Sequence, residues 1–287
     1  MYVVTHQNVD LDAVVSAYIA RLIWNNAERV VTLDKIDSIP DGSQIIVLDT
    51  PIDRSLEKKI KEKNLILIAH HDHHTKAFAD YPSTASILYK EYRKQLPEWV
   101  KYLAEAASAS DSGDIFKVEN AGIKLFHLSG YITAMRTRGY SDEAIIDEIF
   151  RIIDTYSLFL QSIAEAEKEV RAEIAKAGDY LVAKVDRMSS HSSFFLFSVK
   201  GVHFIVGRDG NNIMVMRNAI LDKPNLSELK PEIEKKVGEE IKEWFFHPKG
   251  FIACRGTRKH PVNTPSKITL NELFEIVRRW LDERTHI

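Results

Sequence analysis

The first 74 residues alternate between short apolar runs and longer segments with helical spacing. The apolar runs, which are rich in β-branched residues, are 1–5, 29–33, 44–50 and 64–69. Between them, 12–24 places its apolar residues on one side of a helix, and 54–63 reads as a largely polar helix. Short buried strands that alternate with helices predict an open parallel sheet with right-handed crossover connections.

Only helical spacing follows, from residue 83 to about residue 178. The last part of this region has few helix breakers and is highly charged, which is typical of a connector helix. We therefore predict three segments in order along the chain: a first domain at 1–165, a connector helix at 166–180 and a second domain at 181–287.

Apolar and alternating runs reappear in the second domain. Strands are predicted at 180–187, 194–200, 202–207 and 213–217, helices at 226–246 and 270–283, and a further apolar run at 250–256. Gly201 and Gly210 mark turns between these strands. The expected fold class is α/β, with a parallel-sheet domain, a helical connector and a smaller α/β domain at the C-terminal end.

Composition places the chain among ordinary globular proteins. Hydrophobic residues make up 45% and charged residues 28%, which excludes disordered and fibrous chains. Cys254 is the one cysteine, and no run has the apolar length of a membrane span or the features of a signal peptide. We therefore expect a soluble cytoplasmic protein without membrane association. Acidic side chains outnumber basic ones over 1–178, which favours cations as ligands of this part of the chain. The reverse holds over 179–287, which favours an anionic ligand there.

Side chains of the types that bind metals follow three successive strands of the first domain. They are His6, Asp10 and Asp12 after the first strand, Asp49 after IIVL, and the run His70-His71-Asp72-His73-His74 after LILIA. Each group alone is also compatible with turn or capping chemistry. The carboxyl ends of parallel strands share one edge of the sheet, where α/β folds bind their ligands. Three such groups in succession therefore predict a metal site, and its mixture of imidazole and carboxylate suits Mn²⁺ better than Ca²⁺.

These residues resemble the motifs of the DHH phosphoesterase superfamily, which includes RecJ-like exonucleases, oligoribonucleases, exopolyphosphatases and family II inorganic pyrophosphatases. The matching residues are His6-x3-Asp10-x-Asp12, Asp49, Asp72-His73-His74 and, within AEAASASDSGD, Asp111. The resemblance implies a DHH catalytic domain followed by a DHH-associated substrate-binding domain. It also implies two divalent metal ions, usually Mn²⁺, with Mg²⁺ or Co²⁺ as alternatives.

The resemblance further implies a role for each motif residue. His6 and Asp10 would hold one ion, Asp12, His73 and Asp111 would hold the other, Asp49 would bridge the two, and His74 would contact the substrate phosphate. The catalytic group is then Asp49, Asp72 and His74. We expect Asp72 to accept a hydrogen bond that orients a ligand imidazole, as metal-bound histidines usually require. Asp114 is an alternative to Asp111, and His70 and His71 have no assigned role.

The second domain contains a basic stretch, 244–271, that has no acidic residue. A solvated basic face is one interpretation. The other is a phosphate-binding loop, in which a glycine lets the backbone approach a ligand and arginines clamp phosphate oxygens. The sequence RGTRKHP lies where oligonucleotide-cleaving DHH proteins carry a glycine-rich GGGH-type loop, although Thr257-Arg258-Lys259 replaces the glycines. The candidate substrate contacts in this domain are Arg217, Arg255, Gly256, Arg258, Lys259 and His260.

The combined expectation is a metal-dependent phosphohydrolase that cleaves phosphodiester bonds at the ends of short oligonucleotides. Its partner would be a phosphate-containing small substrate or a short single-stranded nucleic acid, and a homodimer is one of the oligomeric states left open. Two alternatives remain. The same site could hydrolyse polyphosphate or pyrophosphate, or the chain could be a non-catalytic nucleotide-binding protein on the same scaffold.

Overall fold

The computed structural model describes residues 1–27, 29–117 and 127–284. The chain divides into two compact units, Met1–Gln161 and Ser162–Ile287. In the ranges that are described, no helix combines the length and the apolar character needed to cross a membrane.

The first unit contains a four-stranded parallel sheet in the order β2-β1-β3-β4. Its strands are β1 (Tyr2–Thr5), β2 (Arg29–Thr32), β3 (Gln44–Leu48) and β4 (Ile66–His71). Val3 of β1 pairs with Val30 and Ile46 of its two neighbours, and both Val3 and Ile46 are fully buried. The predicted parallel sheet is confirmed, and the carboxyl ends of its strands lie along one edge.

Helices cover this sheet and extend the unit, and the last of them continues past Gln161. They are α1 (Leu11–Ile23), α2 (Arg54–Glu62), α3 (Thr84–Tyr92), α4 (Val100–Asp111), α5 (Leu128–Thr137) and α6 (Asp142–Glu169). Helix α1 begins at Asp10, whose carboxylate accepts a hydrogen bond from the backbone N–H of Ala13. Helix α3 begins at Ser83, whose hydroxyl accepts from the backbone N–H of Ser86. These side-chain caps fix the starts of two helices that pack against each other.

The second unit is built on a six-stranded mixed sheet in the order β5-β6-β7-β8-β10-β9. Its elements are β5 (Ala172–Ala177), β6 (Tyr180–Asp186), α7 (Ser190–Ser198), β7 (Phe204–Asp209), β8 (Asn212–Arg217), α8 (Lys230–Val237), β9 (Trp244–Phe246), β10 (Ile252–Arg255) and α9 (Leu270–Asp282). Strands β6 and β7 pair in parallel, and the other neighbours pair antiparallel. Helix α9 packs on β5, β6 and β7, and Phe204, Phe274 and Trp280 lie in the buried core. The predicted α/β class therefore holds for both parts of the chain.

The segment predicted as a connector helix, 166–180, is helical only as far as Glu169. Beyond it, β5 forms a hairpin with β6 through the two-residue loop Gly178-Asp179, in which Gly178 has φ +56°. A two-residue loop that starts with glycine is a hairpin signal, which the prediction of helical spacing as far as about residue 178 did not take into account. Backbone pairing with β6 outweighs the helical propensity of the alanine-rich segment.

Two further predicted elements of the second unit differ from the structure. The sequence pattern predicts a strand over 194–200, but this run lies largely within α7. That helix begins with a capping box, in which the side chain of Ser189 accepts a hydrogen bond from the backbone N–H of Ser192 and the side chain of Ser192 accepts one from that of Ser189. The single helix expected over 226–246 is instead α8 flanked by two 3₁₀ turns and followed by β9, with a break at Gly238, which has φ +60°.

Candidate metal centre

Four segments of the first unit meet at the carboxyl ends of β1, β3 and β4. The loop after β1 carries His6 and Asp10, and the first turn of α1 carries Asp12. Asp49 directly follows β3 and Asp72-His73-His74 directly follows β4, while Asp111 is the last residue of α4. The expectation that the strand ends bring these side chains together is met.

Asp49 lies at the centre of this cluster. One of its carboxylate oxygens is 3.3 Å from Nε2 of His6, and the other is 3.3 Å from Nδ1 of His73. Its side chain is 3% exposed, and its backbone has φ +52°, a left-handed conformation that aspartate tolerates better than most residues. The strand end therefore presents one buried carboxylate to a histidine on either side.

Two groups of candidate ligand atoms share Asp49. In each group, one nitrogen or oxygen atom per residue lies within 4.8 Å of the others. The two groups are His6, Asp10 and Asp49, and Asp49, Asp72, His73 and His74. A carboxylate common to two adjacent groups is the arrangement needed to bridge a pair of divalent ions.

Asp12 and Asp111 extend the second group through His73. Nε2 of His73 is 2.9 Å from a carboxylate oxygen of Asp111, and its Nδ1 is 3.5 Å from one of Asp12. Asp114, the alternative to Asp111, lies in a 3₁₀ turn, where its carboxylate pairs with Lys117. Asp111 is therefore the residue of these two that reaches the cluster.

Thr84, which the sequence motifs do not identify, joins three of these residues. It is the first residue of α3 and is fully buried. Its backbone N–H donates to Asp12 at 2.7 Å, and its hydroxyl donates to Asp49 at 3.1 Å. The same hydroxyl accepts from the backbone N–H of His73 at 3.3 Å. The only signal in the sequence is Ser83-Thr84 before a helical stretch, which predicts the start of a helix and nothing about a site.

The electrostatics of the cluster favour bound cations. Burial, followed by the charge of Asp49, raises the pKa of Asp12 well above its ordinary value. Hydrogen bonds to Asp10 and then to Asp49 raise the pKa of His6 to about 11. Carboxylates held about 4 Å apart repel by roughly 4 kcal/mol at an effective dielectric constant of 20. Divalent cations would relieve this repulsion and displace the proton from His6.

Asp72 provides a direct test of whether a metal fits. One carboxylate oxygen accepts from the backbone N–H of His74 at 3.0 Å. The other is buried and has no hydrogen-bond partner among the described residues. The expected hydrogen bond from a ligand imidazole to Asp72 is therefore not formed. An unsatisfied carboxylate oxygen beside His73 and His74 fits a site completed by a cation, because a buried charged acceptor is costly to leave unpaired.

His70 and His71, which had no predicted role, make contacts that support the cluster. Nε2 of His70 is 3.0 Å from the backbone carbonyl of Thr50, next to Asp49. Nε2 of His71 is 2.8 Å from the carboxylate of Glu91 on α3. These two imidazoles connect the end of β4 to the residue after Asp49 and to the helix that begins at Thr84.

We expect Thr84→Val to weaken Mn²⁺ binding by roughly 10–100-fold, the range typical of losing a hydrogen bond to a metal ligand. Valine keeps the shape of threonine but cannot donate to Asp49, whereas Thr84→Ser retains the hydroxyl and should bind Mn²⁺ nearly as the parent does. The measurement is a calorimetric Mn²⁺ titration. Thr133→Val is the control, because that hydroxyl is bonded within α5 to the carbonyl of Ser129. Equal Mn²⁺ affinity for Thr84→Val and the parent would contradict the prediction.

In the second unit, the structure does not support Arg255 as a substrate contact. Its side chain is 3% exposed, and its guanidinium bonds Glu243 at 2.7 Å and the carbonyl of Thr264 at 2.7 Å. Gly256 likewise has a structural role, because a Cβ atom at this position would lie 2.2 Å from Oδ1 of Asn212. The glycine lets the chain approach Asn212 and does not form an open cradle for a ligand.

The remaining candidates in this unit have different surroundings. Arg258 is exposed and pairs with Asp209 at 2.9 Å, while Lys259 and His260 are exposed. Arg217 is 7% exposed, and its guanidinium donates to the backbone carbonyls of Lys249 and Gly250. Its Nη1 is buried and has no hydrogen-bond partner among the described residues. Arg217 thus combines a buried positive charge with an unused donor.

No protein-family model matches the chain, and no curated protein matches it either. Solved structures do match. A pGpG-specific phosphodiesterase, PggH from Vibrio cholerae, is 14% identical, with 98% of each chain covered and a TM-score of 0.32. An uncharacterized protein from Helicobacter pylori G27 is 12% identical, over 100% of this chain and 99% of that one, with a TM-score of 0.31.

A DHH domain from a member of a ribosomal protein family is 11% identical, covering 98% of this chain and 86% of that one, with a TM-score of 0.33. Similarity at this level is too low to assign an activity to the chain. The geometry around Asp49 is the firmer basis for a function.

Proposed function

We propose that the chain is a metal-dependent phosphohydrolase of the DHH type that cleaves phosphodiester bonds at the ends of short oligonucleotides. The observation that carries this proposal is the position of Asp49, a buried carboxylate shared by two adjacent groups of candidate ligands. The ordered motifs from His6 to Asp111 support the DHH type, since each motif residue has a side chain in this one cluster.

Two divalent ions fit the donor set, which mixes imidazole and carboxylate and therefore favours Mn²⁺, with Mg²⁺ or Co²⁺ as alternatives. His6 and Asp10 would hold one ion, and Asp12, His73 and Asp111 would hold the other, with Asp49 shared. Bound there, such a pair would polarise a phosphoryl group and supply a nucleophilic hydroxide near neutral pH.

The chain's own residues would orient the substrate. His74 is exposed, and its ring lies 3.8 Å from that of His73, so it is accessible to a phosphate next to the ligand cluster. Asp72 accepts the backbone N–H of His74 and so holds the turn that presents this imidazole. A hydrogen bond from the His74 imidazole to a phosphate oxygen would stabilise charge as the phosphorus–oxygen bond breaks.

In the second unit, Arg217 is the best-supported contact for an anionic group. Its buried guanidinium donates to two uncharged carbonyls, and Nη1 has no partner among the described residues, which favours an anion as the missing acceptor. Lys259 and His260 remain candidates because both are exposed, and Arg258 would first have to leave Asp209. A nucleotide phosphate is an anion of the required kind.

The test is a hydrolysis panel with Mn²⁺ that contains dinucleotides, longer single strands, cyclic dinucleotides, 3′-phosphoadenosine phosphate and polyphosphate. We expect turnover of short linear oligonucleotides, loss of turnover with excess EDTA, and recovery when Mn²⁺ is restored. Turnover of polyphosphate alone would replace the proposal with a phosphoanhydride hydrolase. Binding of nucleotides without turnover for any metal would show a non-catalytic binding protein.

A further inference from the structure

The loop between β1 and α1 is held by side chains from far along the sequence. Its residues Asn8 and Val9 lie between the two candidate ligands His6 and Asp10. The carboxylate of Asp142 accepts the backbone N–H of Asn8 at 2.8 Å and that of Val9 at 3.2 Å, one to each oxygen. Asp142 is the first residue of α6, more than 130 positions later in the chain.

Arg136, near the end of α5, completes this arrangement. Its Nη2 donates to the carbonyl of Val9 at 2.6 Å and lies 3.7 Å from the carboxylate of Asp142. Asp142 therefore binds the N–H groups of Asn8 and Val9, and Arg136 binds the carbonyl of Val9, while the two side chains also lie close to each other. We call Arg136 and Asp142 the loop clamp.

The loop needs such support because of its backbone conformation. Asn8 has φ +56°, a left-handed conformation that asparagine tolerates better than most residues but that a loop holds only where its surroundings fix it. Two successive N–H groups beside such a residue form a concavity that binds anions. Here the anion is the carboxylate of Asp142, so this part of the loop is occupied by the protein itself.

We infer that the loop clamp is a pair of positioning residues that sets the distance between His6 and Asp10, and so the affinity of the ion these two would hold. The inference rests on the proposed function. In the structure, Nε2 of His6 is 3.8 Å from the carboxylate of Asp10, close enough for both to reach one ion. Asn8 and Val9 lie directly between these ligands in sequence, so release of their backbone would let the pair separate.

The experiment is a calorimetric Mn²⁺ titration of the full chain and of Asp142→Asn, with His6→Ala identifying the binding phase that depends on His6. We expect Asp142→Asn to weaken that phase by about 10–100-fold and to leave the other phase unchanged. Asparagine can accept only one of the two N–H groups, because its amide nitrogen is a donor. Arg136→Met, which removes the other half of the clamp, should act on the same phase.

Glu143→Gln is the matched control, since it removes an acid from the same helical turn and its carboxylate contacts Lys35 instead of the loop. Saturating Mn²⁺ should restore the kcat of Asp142→Asn, and its thermal unfolding midpoint in EDTA, compared with that of the parent, checks that folding is retained. Unchanged phases, or equal weakening of both, would overturn the inference. Two-ion binding by the parent without hydrolysis would overturn the proposed function alone, and absence of Mn²⁺ binding by the parent would overturn both.

Discussion

Asp49→Asn is expected to lower Mn²⁺-dependent turnover by on the order of 10²–10³-fold or more, because it removes charge from the carboxylate shared by both ligand groups. Asparagine has nearly the same volume as aspartate and also tolerates the left-handed backbone at this position. Its carbonyl oxygen can still accept the hydroxyl of Thr84. Alanine would remove the charge as well, but it would add backbone strain.

The measurement is kcat and kcat/KM over a range of Mn²⁺ concentrations, together with the thermal unfolding midpoint. We expect the unfolding midpoint without metal to remain near that of the parent. Asp41→Asn serves as the control, because Asp41 is 70% exposed and pairs with Lys63 on the surface. A near-normal rate for Asp49→Asn would reject the bridging role, even if Mn²⁺ still bound elsewhere.

Asp12→Ala is expected to destabilise the first unit by about 2 kcal/mol or more. Three buried donors would lose their acceptor at about 2 kcal/mol each, and relief of the repulsion with Asp49 would offset roughly 4 kcal/mol of this at most. The donors are the backbone N–H groups of Thr84 and Ala85 and the hydroxyl of Ser16. The two N–H groups belong to the first turn of α3, where no carbonyl of the helix can accept them.

Asp10→Ala provides the comparison. Asp10 also caps a helix, but its side chain is 52% exposed, so we expect a loss of only about 1 kcal/mol. Both variants should bind Mn²⁺ poorly, and urea unfolding with EDTA present should separate them by stability. Equal unfolding free energies for the two would contradict the structural role of Asp12.

The parallel sheet and the convergence of the motif residues were predictable because both follow from local patterns. Alternating strands and helices place strand ends on one edge, and the residues after those ends are visible in the sequence. Thr84 and Asp142 were not predictable in this way. Each looks like an ordinary residue at the start of a helix, and its contact with the site depends on tertiary packing between distant segments.

The second unit shows the opposite difficulty. Short apolar runs are ambiguous between strand and helix, so the pattern over 194–200 predicts a strand, although a serine capping box just before this run begins α7. Arg255 was a reasonable phosphate contact in sequence, but Glu243 and Thr264 occupy its guanidinium. A basic run reveals charge, whereas burial and pairing emerge only when the chain is folded.

Asp12 is both a candidate metal ligand and the acceptor at the start of α3, and this affects how related sequences should be interpreted. A homologue that has lost catalytic activity would still need an acceptor for the N–H groups at the beginning of α3. Selection for folding alone would therefore preserve this aspartate. Asp10 and Asp111 are more exposed and contribute less to the stability of the fold, so substitutions at these two positions would accumulate first. Retention of Asp12 is thus poor evidence that a homologue is active, and the pair Asp10 and Asp111 is the more informative marker.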